Sequence, residues 1–202
     1  MNDHIFRDIV FIGYAGMSGA LRIAKGNPDR IKERFPEHIL KNCGLNRSGD
    51  NCDDLDRSEK KPDICEKTGN TDPCENGITS EMIHKYIRRY DDVVIEIGDK
   101  GVSAALWELG ERLRSGFKVY ADRIPVSQLT VEICELFGED PYKCSSEGCF
   151  LVCTQQGNEL SENLKSEGAE AVVIGCTTES RGRVMFMGEI TRYIDKPRNT
   201  IP

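Results

Sequence analysis

Apolar positions in the last third of the chain switch between a helical and an extended period. From Ile124-Pro125-Val126 onward a proline precedes a pattern in which Leu129, Ile133, Leu136 and Phe137 share one helical face, and Gly138 closes it. Asp140-Pro141-Tyr142 then turns the chain. Ser146-Glu147-Gly148 leads into Cys149-Phe150-Leu151-Val152-Cys153, an apolar run short enough for a buried strand. A second helix is predicted from Asn158 to Glu167, with Leu160 and Leu164 inward and Gly168 at the left-handed position that ends it. Ala171 to Gly175 and Arg183 to Met187 read as strands, and the polar stretch Thr177 to Gly182 between them suits a hairpin connection.

The same alternation appears upstream. Asp8-Ile9-Val10-Phe11-Ile12-Gly13 is strand-like and is followed by Ala15-Gly16-Met17-Ser18-Gly19 and a helix toward Arg34-Phe35-Pro36. Gly13, Gly16 and Gly19 lie between strand and helix, where free N–H groups at a helix start can approach a phosphate; the spacing is also a common turn-and-packing device. Glu81 to Arg89 reads as an amphipathic helix with Met82, Ile83, Tyr86 and Ile87 inward and Lys85, Arg88 and Arg89 outward. Val93 to Glu108 joins a strand to a helix led by Gly101, with the run Ala104-Ala105-Leu106-Trp107-Glu108. On its own this order predicts a mixed, layered α+β architecture.

The order of these pieces, ending in Thr191-Arg192-Tyr193-Ile194-Asp195, resembles the C-terminal domain of the AIR synthase-related superfamily, and most nearly hydrogenase-maturation-factor-like proteins. The resemblance implies an α+β fold, a mixed sheet covered by helices, in a single domain over 1–202 with a polar insertion at 42–80. It also marks Gly16, Gly19, Gly98, Asp99, Gly101, Glu147 and Gly148 as ligand-binding candidates. In the family an N-terminal domain ahead of the Asp8 strand holds ATP and magnesium. Seven residues precede Asp8 here, so a truncated homologue without a complete ATP site is the expectation.

Two departures from the family pattern bear on activity. A family stretch with a His-Asp pair and two adjacent glycines corresponds to Ile95-Glu96-Ile97-Gly98-Asp99-Lys100-Gly101, with Ile95 at the His position, Glu96 at the Asp position and Lys100 at the first glycine. The imidazole is lost, and a side chain stands where backbone would approach a ligand. The maturation factor's terminal cysteine is also unmatched, since the chain ends Lys196-Pro197-Arg198-Asn199-Thr200-Ile201-Pro202. No catalytic residue is assigned.

Composition narrows the partners. With 202 residues, 38% hydrophobic and 30% charged, the chain can bury a core. A net charge of -7 argues against nonspecific binding to nucleic acid or an anionic membrane, both of which need clustered cations. No apolar stretch approaches the roughly 20 residues of a membrane span. No secretory leader is recognisable, and a cytoplasmic location is expected.

The nine cysteines divide into two groups. Cys134, Cys149, Cys153 and Cys176 fall in or beside apolar patterns, where a thiol behaves as a small hydrophobe, whereas Cys144 borders the Asp-Pro turn. Cys43, Cys52, Cys65 and Cys74 lie in the polar stretch from Asn42 to Ser80, too poor in apolar residues for a core of its own. Their C-x8-C-x12-C-x8-C spacing lacks the close pairs of a compact zinc site. A flexible insertion is the leading reading, with zinc or an iron-sulfur cluster the other, and no cofactor is expected in the isolated chain. His4, His38 and His84 are scattered and read as solvent-exposed.

Three functions compete at this point: a noncatalytic binding or assembly protein; the C-terminal subunit of a split ATP-dependent enzyme that phosphorylates an amide or thioamide oxygen; and a metal-binding regulatory module on the four-cysteine insertion. The first leads. A homo-oligomer, or a partner chain in place of the nucleotide domain, is expected to cover the surface around Val93 to Trp107 or the adjoining sheet.

Overall fold

The computed structural model describes residues 6–36, 80–87 and 92–197. The predicted insertion up to residue 79, with Cys43, Cys52, Cys65 and Cys74, lies outside the described residues, as do His4 and His38. In chain order the elements are β1 (Asp8–Ile12), α1 (Met17–Gly26), α2 (Pro28–Arg34), α3 (Ser80–Tyr86), β2 (Val93–Ile97), α4 (Gly101–Leu113), β3 (Gly116–Tyr120), α5 (Gln128–Phe137), β4 (Cys149–Thr154), α6 (Gly157–Ser166), β5 (Ala171–Thr178), β6 (Arg183–Met187) and β7 (Ile190–Tyr193).

The strands form one mixed sheet in the order β2-β4-β1-β5-β3-β6-β7, antiparallel throughout except where β3 runs parallel to β6. β1 and β4 are apolar at nearly every position because both faces of the sheet centre are covered. On one face Ile9, Phe11, Ile97, Leu151 and Phe117 pack with Val102, Leu106 and Leu109 of α4. On the other, Val10, Ile12, Phe150 and Val152 meet Leu160 and Leu164 of α6 and Ile83 of α3. A third cluster lies between helices, where Ala20, Ala24, Ile31 and Phe35 from α1, α2 and the residue after α2 pack with Ile133 and Cys134 of α5. The expected α+β fold, a mixed sheet covered by helices, is the fold observed.

Local signals place several boundaries. Gly138 caps α5 in the left-handed region at φ 71°, and Gly168 after α6 has φ 89°. Ser127 caps the start of α5 by accepting a bond from the Thr130 N–H at 3.1 Å. The helix expected to run from the glycine loop to Phe35 is instead two helices. Asn27 separates them and Pro28, which needs no N–H partner in a first turn, opens the second.

The expected hairpin between β5 and β6 does not form. β3 lies between them, antiparallel to β5 and parallel to β6. The polar residues read as a hairpin turn serve β3 instead: the Gly116 N–H donates to the Ser180 carbonyl at 3.0 Å and the Phe117 N–H to the Gly182 carbonyl at 2.9 Å. Arg183 fixes the start of β6 to α4, pairing with Glu111 at 2.6 Å and stacking 4.4 Å from the centre of the Trp107 ring.

β3 fits beside β5 because Gly175 has no side chain: a Cβ there would lie 2.0 Å from the Lys118 carbonyl oxygen and 2.7 Å from the Val119 Cα. Gly175→Ala is therefore expected to force the strands apart and lower stability by about 1–3 kcal/mol in urea denaturation. An unchanged denaturation midpoint would contradict this close approach.

Candidate functional site

The loop from Asp140 to Gly148 is seated between the start of α1 and the connection from β2 to α4. It begins with a side-chain turn, the Tyr142 N–H donating to Asp140 Oδ1 at 3.0 Å, and the Cys144 N–H returns to the Asp140 carbonyl at 3.1 Å. It ends with the Cys149 N–H bonded to the Ser146 carbonyl at 3.1 Å, with Gly148 at φ 78°.

Glycines let this backbone come close on two sides. Gly16 has φ 73°, and a Cβ on it would stand 2.5 Å from the Pro141 carbonyl oxygen. At Gly19 the same atom would meet the Ser145 nitrogen at 2.7 Å, and at Gly101, φ 70°, the Cys144 oxygen at 2.6 Å. No larger residue fits at any of the three without moving the loop.

The start of α1 bonds to the same loop. The Gly16 N–H donates to Ser146 Oγ at 2.8 Å and the Gly19 N–H to the Ser145 carbonyl at 3.0 Å. Ser146, fully buried, also donates from Oγ to the Cys144 carbonyl at 3.2 Å and from its N–H to the Gly98 carbonyl at 3.3 Å. One serine thus joins α1, the 140–148 loop and the β2–α4 connection. In α4 the Ser103 N–H is bonded to the Tyr142 carbonyl at 3.2 Å. These helix-start donors have protein partners, whereas the N-terminal amides of an anion-binding helix point toward the ligand.

Above this backbone layer lies an exposed polar cluster. Arg22 Nη2 donates to Asp99 Oδ1 at 3.0 Å, Ser145 Oγ at 3.4 Å and Glu147 Oε1 at 3.5 Å. The Glu147 N–H donates to Ser18 Oγ at 3.0 Å, and that hydroxyl donates to Ser145 Oγ at 3.1 Å. The hydrogen bond from Arg22, followed by its charge, holds the Asp99 carboxyl below the ordinary range. A lowered carboxylate pKa makes the pairing favourable above the ordinary carboxylate range, and that contribution is lost as pH falls through the lowered value. Asp99 is exposed, so solvent screening keeps the effect small.

The resemblance-derived candidates therefore converge on one loop but differ in surroundings. Gly16, Gly19 and Gly101 are wedged against backbone, whereas a Cβ at Gly98 or Gly148 would meet open space. Asp99 and Glu147 stand in solvent, bridged by Arg22. Asp99 and Lys100 also border a cleft of about 690 Å³ between the α4 start and the segment after β7, with Tyr142, Met185, Arg192 and Lys196 among its walls. Asp99, Lys100, Ala104 and Pro197 also line a second hollow of about 420 Å³ that includes Glu96 and Trp107. Ile95, at the family's His position, is buried in the core.

Sequence reasoning overlooked Ser18, Arg22 and Ser145. Its available signal was the four-residue spacing of Ser18 and Arg22, which puts both on one face of α1. Cys134, Cys149 and Cys153 are buried, as small apolar residues would be, and Cys144 and Cys176 are half-buried. Burial pushes the Cys149 thiol up to about 11, and the thiol donates to the Tyr14 carbonyl at 3.2 Å. His84 is exposed on α3. Among the described residues no group of three or more His, Cys, Asp or Glu could hold a metal ion, and no helix is long and apolar enough to cross a membrane.

No protein-family model matches the chain. A putative hydrogenase expression/formation protein of Methanocaldococcus jannaschii is 28% identical over 136 residues, covering 61% of this chain and 41% of the relative. Among solved structures, a HypE–HypF complex matches 95% of this chain and 53% of the matched chain at TM-score 0.62 and 16% identity. The hydrogenase maturation protein HypE of E. coli matches 97% of this chain and 51% of its own at TM-score 0.62 and 15% identity. The fold is thus the one seen in HypE. The chain spans less than half of its sequence relative and about half of the HypE chains.

Ser146→Ala removes the acceptor of a buried N–H and is expected to cost about 1–3 kcal/mol of stability in chemical denaturation. A loss indistinguishable from zero would contradict the joining role of Ser146.

Proposed function

We propose that this chain is a noncatalytic binding or assembly component in the maturation of a hydrogenase or a related enzyme. The observation that carries the proposal is the occupied state of the Gly16 and Gly19 N–H groups, which donate to Ser146 and Ser145. The glycine loop that the family resemblance offers as a ligand cradle is used here to hold a neighbouring loop. Ile95 in the core and Lys100 at the α4 start agree with the same reading. The relation to a hydrogenase expression/formation protein supplies the process.

Binding is assigned to the open side of the site: Gly98, Asp99, Lys100, Glu147 and Gly148, with the adjoining cleft. Association is assigned to the sheet, where β7 is exposed along its whole length and Ile190 and Tyr193 are 59% and 71% exposed. A second copy of the chain or a separate maturation subunit covers that surface. The second reading, the C-terminal subunit of a split ATP-dependent enzyme, is favoured by the size of the cleft beside Asp99, ample for a small substrate.

Calorimetry and light scattering on the pure chain separate these readings. The expected result is no micromolar binding of magnesium-ATP and a mass of at least a dimer. Affinity purification from the native source is then expected to recover a hydrogenase maturation component or hydrogenase precursor. Magnesium-dependent ATP binding by the pure chain would contradict the noncatalytic reading, and a clean monomer with no recovered partner would contradict the assembly role.

A further inference from the structure

Two thiols meet where the 140–148 loop passes α5. Cys134 lies on α5 and is 1% exposed, Cys144 is half-buried in the loop, and their Sγ atoms are 3.8 Å apart. That is contact distance, and closing it to the roughly 2 Å of a disulfide needs a small shift of one partner. Cys144 lies on the connecting loop, whereas Cys134 is held within the helix cluster of Ala20, Ala24 and Ile133. Access differs in the same sense: Cys144 is the partly exposed residue of the pair and Cys134 the enclosed one.

We propose that Cys134 and Cys144 form a reversible thiol–disulfide modification site, oxidised by exchange with a small disulfide of the glutathione class. The Cys144 thiolate attacks one sulfur of the external disulfide, forming a mixed disulfide and expelling a thiolate that takes up the proton Cys144 lost. The Cys134 thiolate then attacks the Cys144 sulfur and expels the second external thiolate, which takes up the proton from Cys134. In sum, two protein thiols are oxidised and one external disulfide is reduced to two thiols; excess external thiol reverses the reaction.

The pair is coupled to the site through the backbone of Cys144. A Cβ on Gly19 would lie 2.8 Å from the Cys144 Cβ, and one on Gly101 would lie 2.6 Å from the Cys144 oxygen. Movement of Cys144 toward α5 therefore pulls on the chain that presents Ser145 and Glu147 to Arg22. Burial, then the neighbouring thiol and the charges of Glu139 and Asp140, pushes Cys134 up to about 12. Burial raises Cys144 as well. Exchange is accordingly slow at neutral pH, as the thiolate is the attacking species.

The test is a cysteine map of the full chain after incubation of the reduced protein with oxidised glutathione in mildly alkaline buffer, acid quenching and alkylation. Cleavage after Lys143 and Glu147 separates Cys144 from Cys134, Cys149 and Cys153. The expected product is a linked peptide pair, two hydrogens lighter than its reduced parts, joining Cys144 to Cys134 several-fold more often than to any other cysteine. In Cys134→Ser the second step is blocked, and glutathione is expected to stay on Cys144. Recovery of both wild-type thiols fully alkylated would overturn the proposal, as would preferential linkage of Cys144 elsewhere. A Cys134→Ser protein without the Cys144 adduct would overturn it too. The wild-type map needs no substitution, so it decides the matter even where the variant folds poorly.

Discussion

Three backbone approaches closer than a Cβ permits, at Gly16, Gly19 and Gly101, seat the 140–148 loop on the starts of α1 and α4. Much else in the site follows from this contact. It places Ser146 where one buried hydroxyl can accept from α1 and donate within the loop, while its N–H reaches the β2–α4 connection. It brings Ser145 and Glu147 over Ser18 and Arg22, and it presses Cys144 against Cys134. Buried backbone polar groups need partners, so a loop held this close also bonds to the helix starts it covers.

The consequence for function is a separation between a packed layer and an open one. Beneath, N–H groups at Gly16, Gly19 and Ser103 are committed to protein acceptors. Above, Asp99, Lys100 and Glu147 face solvent or the cleft, with Arg22 neutralising part of the acidic charge. In the proposed binding role, these exposed, mutually screened charges beside the open cleft are the recognition surface; phosphoryl chemistry would instead depend on donors aimed at developing charge. The fold alone would not decide this, since one architecture hosts many chemistries.

Much of the architecture was legible because its signals are local. The apolar runs at Ile9 to Ile12 and Cys149 to Cys153 announce strands buried on both faces, and Gly138 and Gly168 end helices through their left-handed backbone. The position of β3 was not legible. Gly116-Phe117-Lys118-Val119-Tyr120 has strand-like alternation, yet nothing local says that it separates β5 from β6; that depends on Gly175 and on the Ser180 and Gly182 carbonyls, roughly sixty residues away along the chain. Family resemblance named residues from loops that the structure brings together and left out Arg22 and Ser18, whose single polar side chains carry no motif. It also could not distinguish a glycine that admits a ligand from one that admits another loop, because both need the same missing Cβ.

Amide hydrogen exchange at Gly16 and Gly19, followed by NMR in the ligand-free protein and again with excess magnesium-ATP, tests this account most directly. If Ser146 and the Ser145 carbonyl hold these donors, both amides are slow to exchange without ligand and do not change when nucleotide is added. Fast exchange in the free protein, slowed by nucleotide, would mean that the glycine loop is a ligand cradle after all.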